Sequence, residues 1–131
     1  MPGGVLPRAD AELLILRVAH NADCEYELIH HQRLALTAGL RASEVLRVRE
    51  GPDAPEWSER QRLLLRAADE LHADRVVSAS AWSGLRPLLS DAELIELCML
   101  VGHYEMLAMT LNSLGTPVDS MRSEWPPPCN D

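Results

Sequence analysis

The residues best suited to chemistry lie in one short stretch near the amino terminus. Between positions 24 and 31 the chain carries a thiol, a phenol, carboxylates and two imidazoles, at Cys24, Glu25, Tyr26, Glu27, His30 and His31. Side chains of these types can transfer protons or attack an electrophile. No other window of the sequence holds so many of them, so any reaction of this protein is predicted to occur here.

Helical spacing predicts that three of these side chains lie together. Steps of three, four and seven residues return to nearly the same face of a helix, so Cys24, Glu27 and His31 are expected to project into one cleft. Tyr26 and His30 fall on a neighbouring stripe. A carboxylate one turn from an imidazole orients the ring and raises its pKa toward neutrality. Glu27 and His31 therefore form a candidate general acid and base.

Simpler interpretations of these residues stay open. A Glu–His pair at this spacing is common on solvated helix surfaces, and His30 is equally well explained as an exposed or structural residue. Glu27 and His30 also fit the Glu-x-x-His of di-iron bundles, but such sites need a second pair and two further carboxylates. The sequence has no second Glu-x-x-His. We therefore predict no metal site and no cofactor.

Composition limits the class of protein. The chain has 131 residues, enough for one domain with its own core. It contains no Phe, so the core must consist of Leu, Ala, Val, Ile and Met, which favours an all-α fold over strands. The net charge is −8, and all 12 basic residues are Arg without a basic cluster. This charge argues against nucleic acid as a partner.

Cysteine usage and hydropathy predict a cytoplasmic protein. Cys24, Cys98 and Cys129 form neither an even set nor a short-spaced metal pair, which fits a reducing compartment. The amino terminus lacks the pattern of a signal peptide, and no uninterrupted apolar run approaches the roughly 18 residues of a membrane span. We expect no membrane partner.

Turn and cap signals divide the chain into about six helices followed by a tail. In the second helix, capped by Asp23 and ended by Gly39, Gln32 and Arg33 are predicted to point toward water. Residues 1–115 are predicted to be the helical domain and 116–131 an irregular, proline-rich tail. The helices are predicted at about Arg8–His20, Cys24–Ala38, Ala42–Arg49, Ser58–His72 with a capping box, a short helix capped by Ser78, and Asp91–Leu114 with a second capping box at Ser90.

The last helix is apolar on nearly all sides, and such a helix must be covered on all sides. In a chain of this length, part of the cover is expected from a partner chain. His103, Tyr104 and Glu105 interrupt the apolar sequence, and buried polar groups need partners. They are expected either to pair across a subunit interface, the favoured interpretation, or to line the same cleft as His31 from its other side.

The spacing of the candidate residues matches a family signature. Glu12, eleven intervening residues, and then Cys24-x-Tyr26-Glu27-x-x-x-His31 resembles the active-site signature of the carboxymuconolactone decarboxylase and alkylhydroperoxidase D-like family. The resemblance extends over about residues 6–115. It implies a compact all-α bundle that assembles as a trimer or a hexamer.

Departures from the signature narrow the chemistry that the resemblance implies. The family's peroxidases carry two cysteines one helical turn apart, whereas here Glu27 stands at the second cysteine position and Tyr26 at the intervening His position. A carboxylate at Glu27 would raise the pKa of Cys24 by like-charge repulsion and so reduce the thiolate that a peroxidase needs. Dithiol peroxidase chemistry is therefore disfavoured.

The decarboxylase branch is similar at this point, with Glu and then His four residues later. The resemblance implies a lyase of decarboxylase or isomerase type, acting by acid/base chemistry on a small organic acid, lactone or enol. Its site residues would be His31, Glu27, Cys24, Glu12 and Tyr26. Two alternatives stay open, namely a peroxiredoxin-type antioxidant that uses Cys24 alone and a non-catalytic ligand-binding or assembly module.

Overall fold

A computed structural model describes residues 4–117 of the chain. This part of the chain contains six α-helices and no strand, and the all-α prediction is confirmed. The helices are α1 (Arg8–Asn21), α2 (Glu25–Thr37), α3 (Ala42–Arg47), α4 (Glu59–Asp74), α5 (Ala79–Leu85) and α6 (Asp91–Leu114), with a 3₁₀ turn at Val48–Glu50 after α3. The predicted tail beyond residue 117, including Cys129, lies outside the described residues.

Helix α1 is the centre of the bundle. It packs against α2, α4 and α6, and the four consecutive residues Leu13, Leu14, Ile15 and Leu16 are each at most 1% exposed. Burial on every side is typical of a central helix rather than an amphipathic surface helix. Because α1 is covered all round, a polar group on it, such as Glu12 at 0% exposure, must find its partners inside the protein.

Serine caps begin three of the helices as the sequence predicted. The hydroxyl oxygens of Ser58, Ser78 and Ser90 each accept a hydrogen bond from the backbone N–H three residues later. At Ser58 and Ser90 the side chain of the third helical residue also accepts from the cap N–H, which completes a capping box. These caps satisfy backbone donors that have no partner within the helix.

The start of α2 differs from the prediction. Asp23 was expected to cap the helix, but its φ is 51°, and the N-cap residue is Cys24. The turn between α1 and α2 reverses the chain within a few residues and needs one residue in the left-handed region, which Asp tolerates better than most. The prediction of Asp23 as the cap is therefore wrong by one residue, and the correction places the Cys24 thiol at the helix terminus.

Helix α6 is long and apolar, and only part of it is covered. By length and composition alone it could cross a membrane, with a mean hydropathy of 1.4 over its most apolar window, although a core helix of a soluble protein passes the same test. From the sequence we expected no apolar segment as long as a membrane-spanning helix, whereas α6 has that length and apolar composition. One side of α6 packs on α1 and α4, whereas large side chains on its other side are more than half exposed, at Ile95, Met99, Met106, Met109 and Leu114.

Candidate functional site

An imidazole held between two carboxylates lies where α1 and α2 pack together. Nδ1 of His31 lies 2.7 Å from Oε2 of Glu12, and Nε2 of His31 lies 2.9 Å from Oε2 of Glu27. The side chains of His31, Glu27 and Glu12 are 6%, 10% and 0% exposed. We call these three residues the His31 cluster. The structure therefore brings together three of the five residues predicted from the sequence.

Different features of the sequence place the two carboxylates. Glu27 precedes His31 by one turn of α2, so local helix geometry alone brings their side chains together. Glu12 lies on α1, and only the packing of α1 against α2 brings it to the ring. Arg8, one turn before Glu12, forms an ion pair with Oε1 of Glu12 and is itself half-exposed. Arg8 therefore balances a carboxylate that is otherwise enclosed by protein.

Burial and charge act in opposite directions on His31. Burial of the ring lowers its pKa, but the hydrogen bonds and negative charges of Glu12 and Glu27 outweigh burial, so the pKa of His31 is raised above its ordinary value. A raised pKa favours the imidazolium, in which both ring nitrogens carry a proton and can donate to the two carboxylates. The His31 cluster can therefore bind one additional proton, on the imidazole ring.

Cys24 lies beside the cluster but is poorly suited to redox chemistry. The residue is 1% exposed, and burial raises the pKa of its thiol. Backbone N–H groups of Glu27 and Tyr26 favour the thiolate, but the charge of Glu27 opposes them, and the net direction is upward. The thiol form therefore predominates near neutral pH, and the reactive thiolate is scarce.

Tyr26 and His30 form a separate pair on the outer side of α2. Their rings stack at 6.3 Å between centroids, and His30 is exposed. His30 makes no hydrogen bond or ion pair with the residues that the structure describes, although the centroid of its ring lies 5.2 Å from that of His31 and the two rings are nearly perpendicular. The Tyr26 hydroxyl makes no hydrogen bond to Glu12 or Glu27 within residues 4–117.

Tyr104 of α6 is a member of the site that helical spacing could not place. Its ring packs edge-on against His31, with 5.2 Å between centroids. Burial, together with the charges of Glu27 and Glu12, raises the pKa of the phenol, which therefore stays protonated. Glu105, the next residue, contacts His72 instead. Tyr104 therefore contacts His31 from the α6 side, as the alternative interpretation expected, whereas pairing of these residues across a subunit interface stays a prediction.

Gln32 is a second departure from the prediction. It was expected to point toward water but is 8% exposed, and its Oε1 is buried without a hydrogen-bond partner among residues 4–117. The buried face of α2 is therefore wider than its apolar pattern indicated.

A cleft on another part of the surface does not reach the His31 cluster. This cleft, of about 680 Å³, lies between the carboxyl-terminal ends of α1 and α4 and one flank of α6. Glu12, Cys24, Glu27 and His31 are absent from its walls, whereas Cys98 is part of them. Cys98 therefore faces a different part of the molecule and is not an evident partner for Cys24.

Comparison with known protein families identifies the region that contains the His31 cluster. A sequence profile described as the carboxymuconolactone decarboxylase family matches residues 1–70, which is more than half of the chain. The chain belongs to the carboxymuconolactone decarboxylase family. The matched region includes Glu12 and the whole stretch from Cys24 to His31, whereas Tyr104 lies beyond it. No curated protein sequence matches the chain.

The fold of this member of the carboxymuconolactone decarboxylase family is similar to that of a protein whose structure has been solved. That protein, of unknown function and from Agrobacterium tumefaciens, is described as a putative antioxidant defence protein AhpD. The TM-score is 0.80 at 19% identity, and the match covers 86% of this chain and 79% of the other. At that identity the likeness concerns the fold alone, and it agrees with the alkylhydroperoxidase D-like bundle expected from the sequence.

Proposed function

We propose that this protein catalyses a non-redox proton transfer next to a carbonyl group of a small organic acid, lactone or enol, with or without loss of carbon dioxide. The observation that carries the proposal is the imidazole of His31, which has a carboxylate within 3 Å of each ring nitrogen. An imidazole with a raised pKa keeps its proton to a higher pH than an ordinary histidine and can release it when a base forms nearby.

The exposure of the three side chains suggests different roles. Glu27 is the most exposed, so it is the group that meets the substrate. A proton moves from Nε2 of His31 to Glu27 and on to the substrate carbon, which leaves a neutral imidazole whose Nδ1–H donates to Glu12. Removal of a proton from the substrate follows the same path in reverse. Glu12 is a positioning residue, because its contact with Nδ1 sets the tautomer.

Exchange of deuterium into a panel of candidate compounds tests this proposal while the natural substrate is unidentified. Small β-keto acids, lactones and enols would be incubated with the protein in D₂O, and exchange at the carbon next to the carbonyl followed by NMR. Loss of a positioned acid/base group typically costs about 10²–10⁴-fold in rate, so we expect Glu27→Gln and His31→Gln to lower exchange by that factor. His30→Gln is the matched control, since this neighbouring imidazole contacts neither carboxylate. Equal exchange in all three variants would exclude the proposed role.

A non-catalytic role is the second candidate, and the closure of the cluster favours it. Each ring nitrogen of His31 lies within 3 Å of a carboxylate oxygen and the ring packs at right angles to that of Tyr104, so a ligand would have to displace one of these groups to reach a ring nitrogen. A binding or assembly module would show no exchange with any compound in the panel, while His31→Gln would still lower the stability of the fold.

An antioxidant role would require Cys24 to act alone. Peroxide would oxidise the thiolate to a sulfenic acid and be reduced to water or an alcohol, and two equivalents of an external thiol would then restore Cys24 and form a disulfide. The name of the Agrobacterium tumefaciens protein motivates this test, although the raised pKa of Cys24 argues against it. Peroxide-dependent thiol consumption that disappears in Cys24→Ser, and persists in Cys98→Ser, would support it; loss in neither variant would refute it.

We also propose that the protein self-associates through α6 and resides in the cytoplasm. Ile95, Met99, Met106 and Met109 are each more than half exposed, and with Gly102 their spacing alternates between four and three residues. This is the spacing of a helix–helix seam. Coverage of the stripe by a second copy of α6 would explain its apolar character without a lipid surface.

A further inference from the structure

A second cluster of chemically capable side chains lies in the cleft between α1, α4 and α6, apart from the His31 cluster. Nδ1 of His72 on α4 lies 2.6 Å from Oε1 of Glu105 on α6. Tyr104 and Glu105 are consecutive on α6 but contact different histidines, so the helix separates the two sites. The proton-transfer function proposed above uses neither His72 nor Glu105.

The cleft has the size and composition of a small-molecule site. Its volume of about 680 Å³ lies within the usual range for ligand pockets, which are mostly apolar with a few placed polar groups. Leu71, Val101 and Met109 supply apolar walls. At one end, Nδ2 of Asn112 donates a hydrogen bond to the backbone oxygen of Ala22, which ties α6 to the end of α1.

The polar groups of the cleft favour an anion. Arg75 lines the cleft at the end of α4, and its Nη1 donates to the backbone oxygen of His72, which holds the two residues together. Glu105 occupies Nδ1 of His72, and Nε2 makes no hydrogen bond to any residue in the described part of the chain. The guanidinium of Arg75 forms no ion pair with a carboxylate of residues 4–117, so its charge is available to a carboxylate in the cleft.

The backbone of Arg75 is unusual for its residue type. Its φ is 63°, in the left-handed region where a helix commonly ends on glycine. Glycine would be easier to accommodate at this position than a long charged side chain. Residues with such a backbone conformation are found more often at functional sites than elsewhere, which agrees with a binding role for Arg75.

We propose that this cleft is a second ligand site, which binds a small amphipathic monocarboxylic acid. The carboxylate accepts hydrogen bonds from the guanidinium of Arg75 and from Nε2–H of His72, whose Nδ1–H donates to Glu105. The apolar body of the ligand lies along Leu71 and Val101, which are outside the stripe proposed for self-association. Arginine suits this role because its planar donors match a carboxylate.

Titration of the ¹⁵N-labelled full-length protein with sodium octanoate tests the site. We expect saturable amide shifts concentrated at the cleft residues, and much weaker binding of octan-1-ol, which has the same apolar body without the charge. A charged hydrogen bond contributes about tenfold or more in affinity, so Arg75→Gln and His72→Gln should each weaken octanoate binding by that factor. Arg86→Gln makes the same change of charge just after α5, away from the cleft, and should bind normally.

Further variants distinguish the cleft from the His31 cluster and from a subunit interface. Arg75→Gly removes the guanidinium while relieving the left-handed backbone, so it should keep the fold and lose octanoate binding. Glu27→Gln should bind octanoate normally, which separates this site from the His31 cluster. Equal binding of octanoate and octan-1-ol, or equal affinity of Arg75→Gln and Arg86→Gln, would overturn the proposal. Octanoate-induced amide shifts that appear only in a variant made monomeric by substitution of Met99 would also overturn the proposal. In that case a second copy of the chain, and not a small acid, would occupy the cleft.

Discussion

His31 holds a proton between two buried carboxylates, and this makes the stability of the fold depend on pH. Its folded-state pKa is raised above the ordinary 6.5 of the unfolded chain. A raised pKa means that the stabilisation is fully present below about pH 6.5 and is lost as the pH rises through the folded-state value. The contribution of the cluster to stability should therefore disappear as the pH rises above about 6.5 and passes the folded-state pKa of His31.

Denaturant unfolding of His31→Gln at several pH values checks this prediction. Removal of one partner from a buried ion pair typically costs on the order of 3–5 kcal/mol, so the free energy of unfolding should fall by about that amount at pH 6. The difference from the wild-type protein should shrink as the pH is raised above about 6.5 and through the folded-state pKa of His31. His30→Gln is the matched control and should unfold like the wild type. A difference that grows with pH would contradict the raised pKa.

Local spacing predicted one contact of the cluster but not the others. Glu27 and His31 are four residues apart on one helix, so their contact follows from helix geometry. Glu12 was anticipated only through the family signature, because no local rule relates α1 to α2. Tyr104 is far from His31 in sequence, and its contact depends on how α6 packs against α1 and α2. The relative position of helices that are distant in sequence is determined by core packing, which cannot be deduced from one sequence alone.

At the level of the helices, capping was the most predictable feature. Ser58, Ser78 and Ser90 were placed from short local patterns, and the hydrogen bonds that make a cap lie within three residues. The end of α1 and the start of α2 were less predictable, since the left-handed backbone at Asp23 is a response to the tight turn. Local sequence patterns therefore predicted the serine-capped helix starts correctly but did not predict the backbone conformation of the tight turn between α1 and α2.

The cap of α6 provides a test at this scale. Ser90→Ala removes the oxygen that accepts from the backbone N–H of Glu93, and loss of a serine cap usually costs about 0.5–2 kcal/mol. The free energy of unfolding should fall by that amount, without a change in the shifts of the His31 cluster in NMR spectra. Ser113→Ala, near the other end of the same helix, is the control, because its hydroxyl donates only to a carbonyl one turn earlier. Equal losses in both variants would show that the cap is not the cause.

At the scale of the whole molecule, the main unexplained feature is the apolar stripe of α6, because no other part of the described chain covers it. The side chains of Ile95, Met99 and Met106 are 65%, 66% and 53% exposed, although α6 lies partly in the core. Apolar stripes of this extent on soluble proteins commonly mark an interaction surface. Gly102 lies within the stripe, and nothing lies within 4 Å of the position where a Cβ would stand, so a second helix could approach closely there.

Sedimentation equilibrium of the full-length protein checks whether copies associate through this stripe. We expect a mass of three or six times the 14.5 kDa chain, in line with the trimer or hexamer implied by the family resemblance. Burial of a Met side chain contributes about 1.5–3 kcal/mol, so the double variant Met99→Gln, Met106→Gln should weaken association by at least about 100-fold and yield a folded monomer. Val76→Gln is the control, because Val76 is 60% exposed but lies off α6. A monomeric wild-type protein would leave α6 to another partner, whereas association that survives the double variant would place the interface elsewhere on the bundle.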